Sequence, residues 1–188
     1  MALLWLIILI VVVVIILLII IGFYNRFIVF ENRISNSLAQ IDVQLKKRAD
    51  LVPNLIETVK GYAKHEEKIM HEVSEARKAL VGAMDSKDVI KSVKAGDALQ
   101  GALMRLFAVA ENYPNLRANE NFSQLQQELA AIEDKVAYSR QFYNDTVLAY
   151  NNACRTIPGA WFASVFGKKA GKYLEIPQAE REAVKVKF

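Results

Sequence analysis

Residues 2–21 read ALLWLIILIVVVVIILLIII, with no charge, no proline and no polar group beyond the indole N–H of Trp5. A helix of twenty residues is about 30 Å long, the thickness of a bilayer's hydrocarbon core. A core helix of a soluble domain keeps one polar face, and this run has none. The segment from Ala2 through Trp5, Ile10 and Ile15 to Ile21 therefore reads as a membrane-spanning helix. The span is placed at residues 1–24, and everything after it is a domain held at a membrane surface. A cleaved secretory signal is the competing reading. Against it, no Lys or Arg precedes the apolar run, the run exceeds the usual apolar core of a signal, and GFYNRF follows without a small-x-small site.

Charge gives an orientation. Arg26, Arg33, Lys46, Lys47 and Arg48 follow the span and no Lys or Arg precedes it. Cationic flanks stay cytoplasmic, so the N-terminus is expected outside and the body inside. Trp5 is expected at one interface. Phe23, Tyr24, Phe27 and Phe30 are expected at the other, as a belt of rings at the headgroup level. The net charge of +4 is too small for a nucleic-acid binder, so no nucleic acid is expected as partner. Cys154 is the only cysteine, which excludes an intrachain disulfide and a cysteine metal cluster.

The body reads as helical, because Gly and Pro are scarce (eight and four) and no stretch alternates like a strand. An apolar stripe runs from Ile34 through Leu38, Ile41, Leu45, Ala49, Val52, Ile56 and Val59 to Leu80. Pro53 lies inside it, and predicts either a kink or a break with Asp50 as the cap of a second helix. Residues 82–96 predict a helix end, a loop and a short turn, with helix resuming near Asp97 through Leu99, Leu103, Leu106 and Ala110. Asn121 with Gln124 has capping-box spacing. The next helix is predicted over residues 122–154, ending at Ile157–Pro158–Gly159. The chain closes with an aromatic and basic segment, AWFASVFGKKAGKYLEI, and a polar tail.

Few residues offer chemistry. His65 and His71 are six apart, about 120° round a helix, so they do not make a two-ligand face. Cys154 ends an apolar stripe, where a small buried hydrophobe is expected rather than a nucleophile. Glu128, Glu133 and Asp134 fall on positions that read as exposed, and the run Lys46, Lys47, Arg48 reads as a solvated face. No phosphate-binding, dinucleotide, zinc-protease or nucleophile-elbow motif occurs. No catalytic, metal or cofactor residues are therefore expected, and the chain is not read as an enzyme. Two Tyr-Asn pairs, Tyr143–Asn144 and Tyr150–Asn151, are seven apart on one helix face. They form either inward tyrosines with satisfied hydroxyls or a polar seam that fixes register or binds a partner. In the last segment Trp161, Phe162, Phe166, Lys168, Lys169 and Tyr173 fit two roles equally: a cap on the helices, or an interface to membrane or partner.

The chain resembles the bacterial LemA family. The resemblance rests on QIDVQLKKRADLVPNLIETVKGYAKHE (residues 40–66), ENYPNLRANENFSQLQQEL (residues 111–129), the two Tyr-Asn pairs and the IPGAWFA…FG segment (residues 157–167). It implies an all-α fold, with a single N-terminal transmembrane helix followed by an antiparallel four-helix-type bundle of long helices. The bundle would occupy residues 25–176, with a flexible tail over 177–188. It also implies a bacterial inner-membrane location, but no defined activity and no catalytic residues to carry over. The expected function is that of a non-enzymatic, membrane-anchored scaffold or adaptor with no cofactor. Its expected partners are the lipid bilayer, further copies of itself through the helical body, and other proteins. The alternative is a membrane-shaping or lipid-sensing protein acting through the Trp161–Tyr173 segment.

Overall fold

The computed structural model describes residues 1–63, 65–86 and 88–174. The described chain is helical throughout, with no strand among the described residues. Helix α1 spans Ala2–Lys60, α2 Glu67–Asp85, α3 Val89–Ala110, α4 Pro114–Arg117, α5 Glu120–Arg155 and α6 Gly159–Val165. The expected tail lies outside the described residues.

Pro53 does not break α1, which continues through it to Lys60. The chain turns instead between Lys60 and Glu67. Arg77 Nε on α2 donates to the carbonyl of Ala49 on α1 at 2.7 Å, which requires a reversal between them. The apolar phase carried across this turn, so the sequence concealed it. A second correction concerns residues 82–96. Helix α3 begins at Val89, because the Asp88 carboxylate accepts from the backbone N–H of Lys91 and caps the first turn. A third concerns α5. Asn119, not Asn121, supplies the cap, its Oδ1 accepting from Phe122 N at 3.0 Å. Pro114 occupies the first turn of α4, where a missing N–H costs nothing.

The chain divides into two compact units. The span-bearing unit holds Met1–Ser37 and Phe142–Tyr173. The second unit holds Leu38–Gln141. Each long helix, α1 and α5, contributes to both.

In the second unit α1 buries Ile41, Leu45, Ala49, Val52, Leu55 and Val59, at helical steps of three and four. Leu55 takes the buried place that periodicity assigned to Ile56, which is half-buried. Val73 and Leu80 of α2, Leu99, Leu103 and Leu106 of α3, and Leu129 and Val136 of α5 are also buried. Bonds between helices accompany this burial. Arg105 pairs with Glu72 across α3 and α2. Tyr113 donates to Glu66 and Asn119 to the Tyr62 hydroxyl, tying the turn after α1 to the connector before α5.

Candidate functional site

In the span-bearing unit the apolar side chains from Leu3 to Ile19 are exposed on every side of α1. Among the described residues no protein covers this run, and α1 is long and apolar enough to cross a membrane, which makes it a candidate span.

Directly after this run the helix enters an aromatic cluster. Phe27 is completely buried among Tyr150, Ala153 and Ala163. Phe23 stacks on Phe162 at 4.5 Å between centroids, and Tyr24 meets Phe166 edge-on at 5.3 Å. Phe27 and Phe30 both meet the Tyr150 ring edge-on, in the arrangement aromatic quadrupoles favour. The expected belt of four rings at the headgroups is therefore largely a packing core. Tyr24 remains exposed, but Phe27 is withdrawn from any solvent or lipid.

The aromatic-basic segment divides by side chain. On α6, Phe162 and Ala163 turn inward, and Phe166 follows them as the C-cap residue. Trp161 and Val165 turn outward. Lys168 reaches back to α1, its Nζ at 2.8 Å from both carboxylate oxygens of Glu31, while Lys169 and Tyr173 are exposed. Gly159 lets α6 approach α5, since a Cβ there would lie 2.1 Å from the Ala153 carbonyl oxygen. The Ile157–Pro158 bond before it is cis.

The Tyr-Asn pairs hold the segment that follows α6. Asn151 donates to the Gly171 carbonyl at 3.1 Å and accepts from Gly171 N at 2.7 Å, as a neighbouring strand would. The Tyr143 hydroxyl donates to the Lys172 carbonyl at 2.8 Å. Gly171 lies close against Val147, with 3.3 Å for any added Cβ. Asn144 also has a polar or electrostatic partner. Burial, then Cys154 and Glu31 nearby, push the Tyr150 hydroxyl well above its ordinary pKa. Burial likewise raises the Cys154 thiol, so it stays protonated and is a poor nucleophile at neutral pH.

The second unit contains a feature the sequence reading missed. Arg48, expected on a solvated face, is fully buried. Its Nη1 donates to the Gly96 carbonyl at 3.2 Å and its Nη2 pairs with Glu133, one of the acids expected to be exposed. Arg140 pairs with Asp97 beside it. Burial, with Arg140 close by, pulls the Arg48 guanidinium down to about 10, against the opposing pull of Asp97. The available signal was positional: Arg48 lies three residues after Leu45 and four before Val52, on the buried stripe. Lys46 and Lys47 are exposed as expected.

His65 and His71 are exposed, and His71 faces Glu75 at 4.0 Å. Among the described residues no three His, Cys, Asp or Glu side chains converge as metal ligands would. A shallow groove of about 460 Å³ is lined by Asn54, Glu57, Thr58, Asn121, Gln124 and Glu128.

The fold and its membrane-proximal cluster define an all-helical protein with one candidate membrane span. The chain belongs to the LemA family, whose model matches residues 37–188. It is similar to magnetosome protein MamQ of Magnetospirillum gryphiswaldense, 25% identical over 173 residues, covering 80% of this chain and 64% of that one. Magnetosome protein MamQ 1 of Paramagnetospirillum magneticum is also 25% identical, over 175 residues, covering 81% and 64%. Protein LemA of Metamycoplasma hominis is 23% identical over 137 residues, covering 72% and 61%. The chain thus spans just under two thirds of the length of the curated relatives it matches.

Proposed function

We propose that this protein is a membrane-anchored, non-enzymatic helical scaffold whose body presents helix faces to protein partners and to further copies of itself. The observation that carries this reading is the aromatic cluster at the end of the span. There Phe23, Phe27 and Phe30 pack on Tyr150, Phe162 and Phe166, so within this unit α6 and the end of α5 are held to the helix that carries the apolar run by side-chain packing. The perturbed groups Arg48 and Tyr150 support it too, since they, like the Asn151 amide, are engaged in holding helices and segments together. In this proposal the helices of the second unit form an antiparallel four-helix-type bundle.

The proposed placement is the bacterial inner membrane with the N-terminus outside. The span-bearing unit carries six Lys or Arg against two Asp or Glu, which is the whole net charge of +4; the rest of the chain has eighteen of each. Cations following a span favour the cytoplasmic side. Cys154 is a poor reporter of sidedness because it is half-buried with a raised pKa, so the test uses Lys135→Cys in a Cys154→Ala background. An impermeant maleimide should label this variant only after cells are permeabilised. Labelling of intact cells would reverse the orientation.

The scaffold reading is tested by photocrosslinking the full chain in native membranes from Met104 and Tyr138, both exposed on the second unit. Discrete protein adducts, including the chain with itself, are expected. Adducts to lipid alone from both positions would remove the reading. The exposed apolar side chains of α6 favour a second reading, a role in shaping or sensing a membrane. The outward Trp161 is the residue through which it would act.

A further inference from the structure

Of the three side chains that α6 exposes, Trp161, Ser164 and Val165, two are large and apolar. Trp161 and Val165 are one helical turn apart and 66% and 77% exposed, and Ile157, in the turn that precedes α6, is 74% exposed. Among the described residues nothing covers this tryptophan, valine and isoleucine, and apolar surface of this kind calls for a covering.

The position of α6 identifies the covering. Its Phe162 stacks on Phe23, only two residues past Ile21, about 3 Å further along the helix axis. The span ends at the hydrocarbon boundary, so α6 lies in the headgroup layer, where amphipathic helices bury their apolar face about 5–10 Å deep. The surrounding charge agrees. Arg26, Arg155, Lys169 and Lys172 of the same unit are exposed, and only Glu31 and Asp145 oppose them. Glu31 is already engaged by Lys168.

We infer that the Ile157–Trp161–Val165 stripe is a second membrane contact, dipping into the headgroup layer of an anionic bilayer beside the span. A single helix leaves a protein free to tilt and rotate about its axis. A second contact on one side of that helix fixes both, and the exposed lysines make the contact selective for anionic lipid. The inference rests on α1 being a span.

The two tryptophans, Trp5 in the span and Trp161 on α6, allow the two ideas to fail separately. The full chain is placed in nanodiscs at one copy per disc, as Trp161→Phe and as Trp5→Phe, with lipids brominated near the headgroup or deep in the chain. In the Trp5→Phe protein, Trp161 should emit to the blue of aqueous indole, be quenched by shallow bromines more than by deep ones, and resist acrylamide. Phosphatidylglycerol carrying the bromines should quench more than phosphatidylcholine at equal mole fraction. That excess should fall by roughly fivefold for each charge removed by Lys169→Gln or Lys172→Gln. Ile157→Ser with Val165→Ser should return Trp161 to acrylamide. Full access of acrylamide to Trp161 while Trp5 stays shielded overturns the inference and leaves the span intact; exposure of both overturns the span as well. Shielding of Trp161 only when discs hold several copies would assign the stripe to a contact between chains and overturn the lipid contact. Phe162 and Phe166 are left unchanged, because they pack inside the unit.

Discussion

The guanidinium of Arg48 on α1 donates to the backbone carbonyl of Gly96 on α3 at 3.2 Å, inside the helical core. Gly96 permits this approach, since any Cβ would lie 2.6 Å from a methyl of Leu45. The same guanidinium pairs with Glu133 of α5, so one side chain links three helices. Removing one partner of a buried pair is costly because the other is left unpaired in low dielectric. Here Glu133 keeps some access to water, which softens the loss.

Arg48→Met is therefore expected to destabilise the full chain by about 2–4 kcal/mol, read as the urea midpoint in detergent. Lys47→Met, one residue away on the exposed face, should change it by less than about 0.5 kcal/mol. Equal effects of the two would show that the Arg48 links contribute nothing.

The aromatic cluster gives a second contrast. Phe27→Ala empties a fully buried site and should cost about 3–5 kcal/mol in thermal unfolding. Gly159→Ala forces a methyl into the Ala153 carbonyl and should undock α6, costing about 1–3 kcal/mol or more. Trp161→Ala, exposed among the protein's own atoms, should leave stability in detergent nearly unchanged.

Asn151 predicts a local effect. Asn151→Ala removes both bonds to Gly171, each worth about 1 kcal/mol. Limited trypsin digestion should then cut at Lys168, Lys169 and Lys172 well before the helices are attacked. Unchanged protection of these sites would show that Tyr143 and Val147 suffice to hold the segment.

The pH dependence follows from burial. Asp42 carries a carboxylate oxygen that is buried without a partner, and burial raises its pKa above the ordinary 3.8. A raised carboxylate pKa stabilises the fold below the unfolded value and withdraws that stability as pH rises through the folded one. Asp42→Asn should therefore stabilise the protein at neutral pH and lose its advantage below about pH 4. Tyr143, Tyr150 and Cys154 are raised as well, so the wild-type chain should lose stability in alkali, starting near pH 9 where an unfolded thiol ionises. A urea midpoint measured from pH 3 to pH 11 checks both; a flat profile would contradict both assignments.

Much of this was legible in the sequence, for reasons that lie in particular residues. The long apolar helix was, because twenty residues without a charge or a proline are plain in the chain itself and mark a candidate span. The inward positions of Leu45, Val52, Leu99 and Leu106 were, because helical period alone fixes a face. The helix boundaries at Val89 and Glu120 were not, since Asp88 and Asn119 compete with nearby residues of equal capping ability. The reversal after Lys60 was hidden because the apolar phase happens to match on both sides of it.

The sequence by itself determined that this chain is helical, that it carries one long apolar segment, and that Lys and Arg follow that segment while none precedes it. Those properties depend on residues near each other in the chain. The tertiary structure decided which side chains of one short segment face inward and which face outward, separating Phe162 and Phe166 from Trp161 and Val165. It also decided that Arg48 is a buried link and that Asn151 holds Gly171. Each of these depends on a partner twenty or more residues away, brought near only when the helices pack.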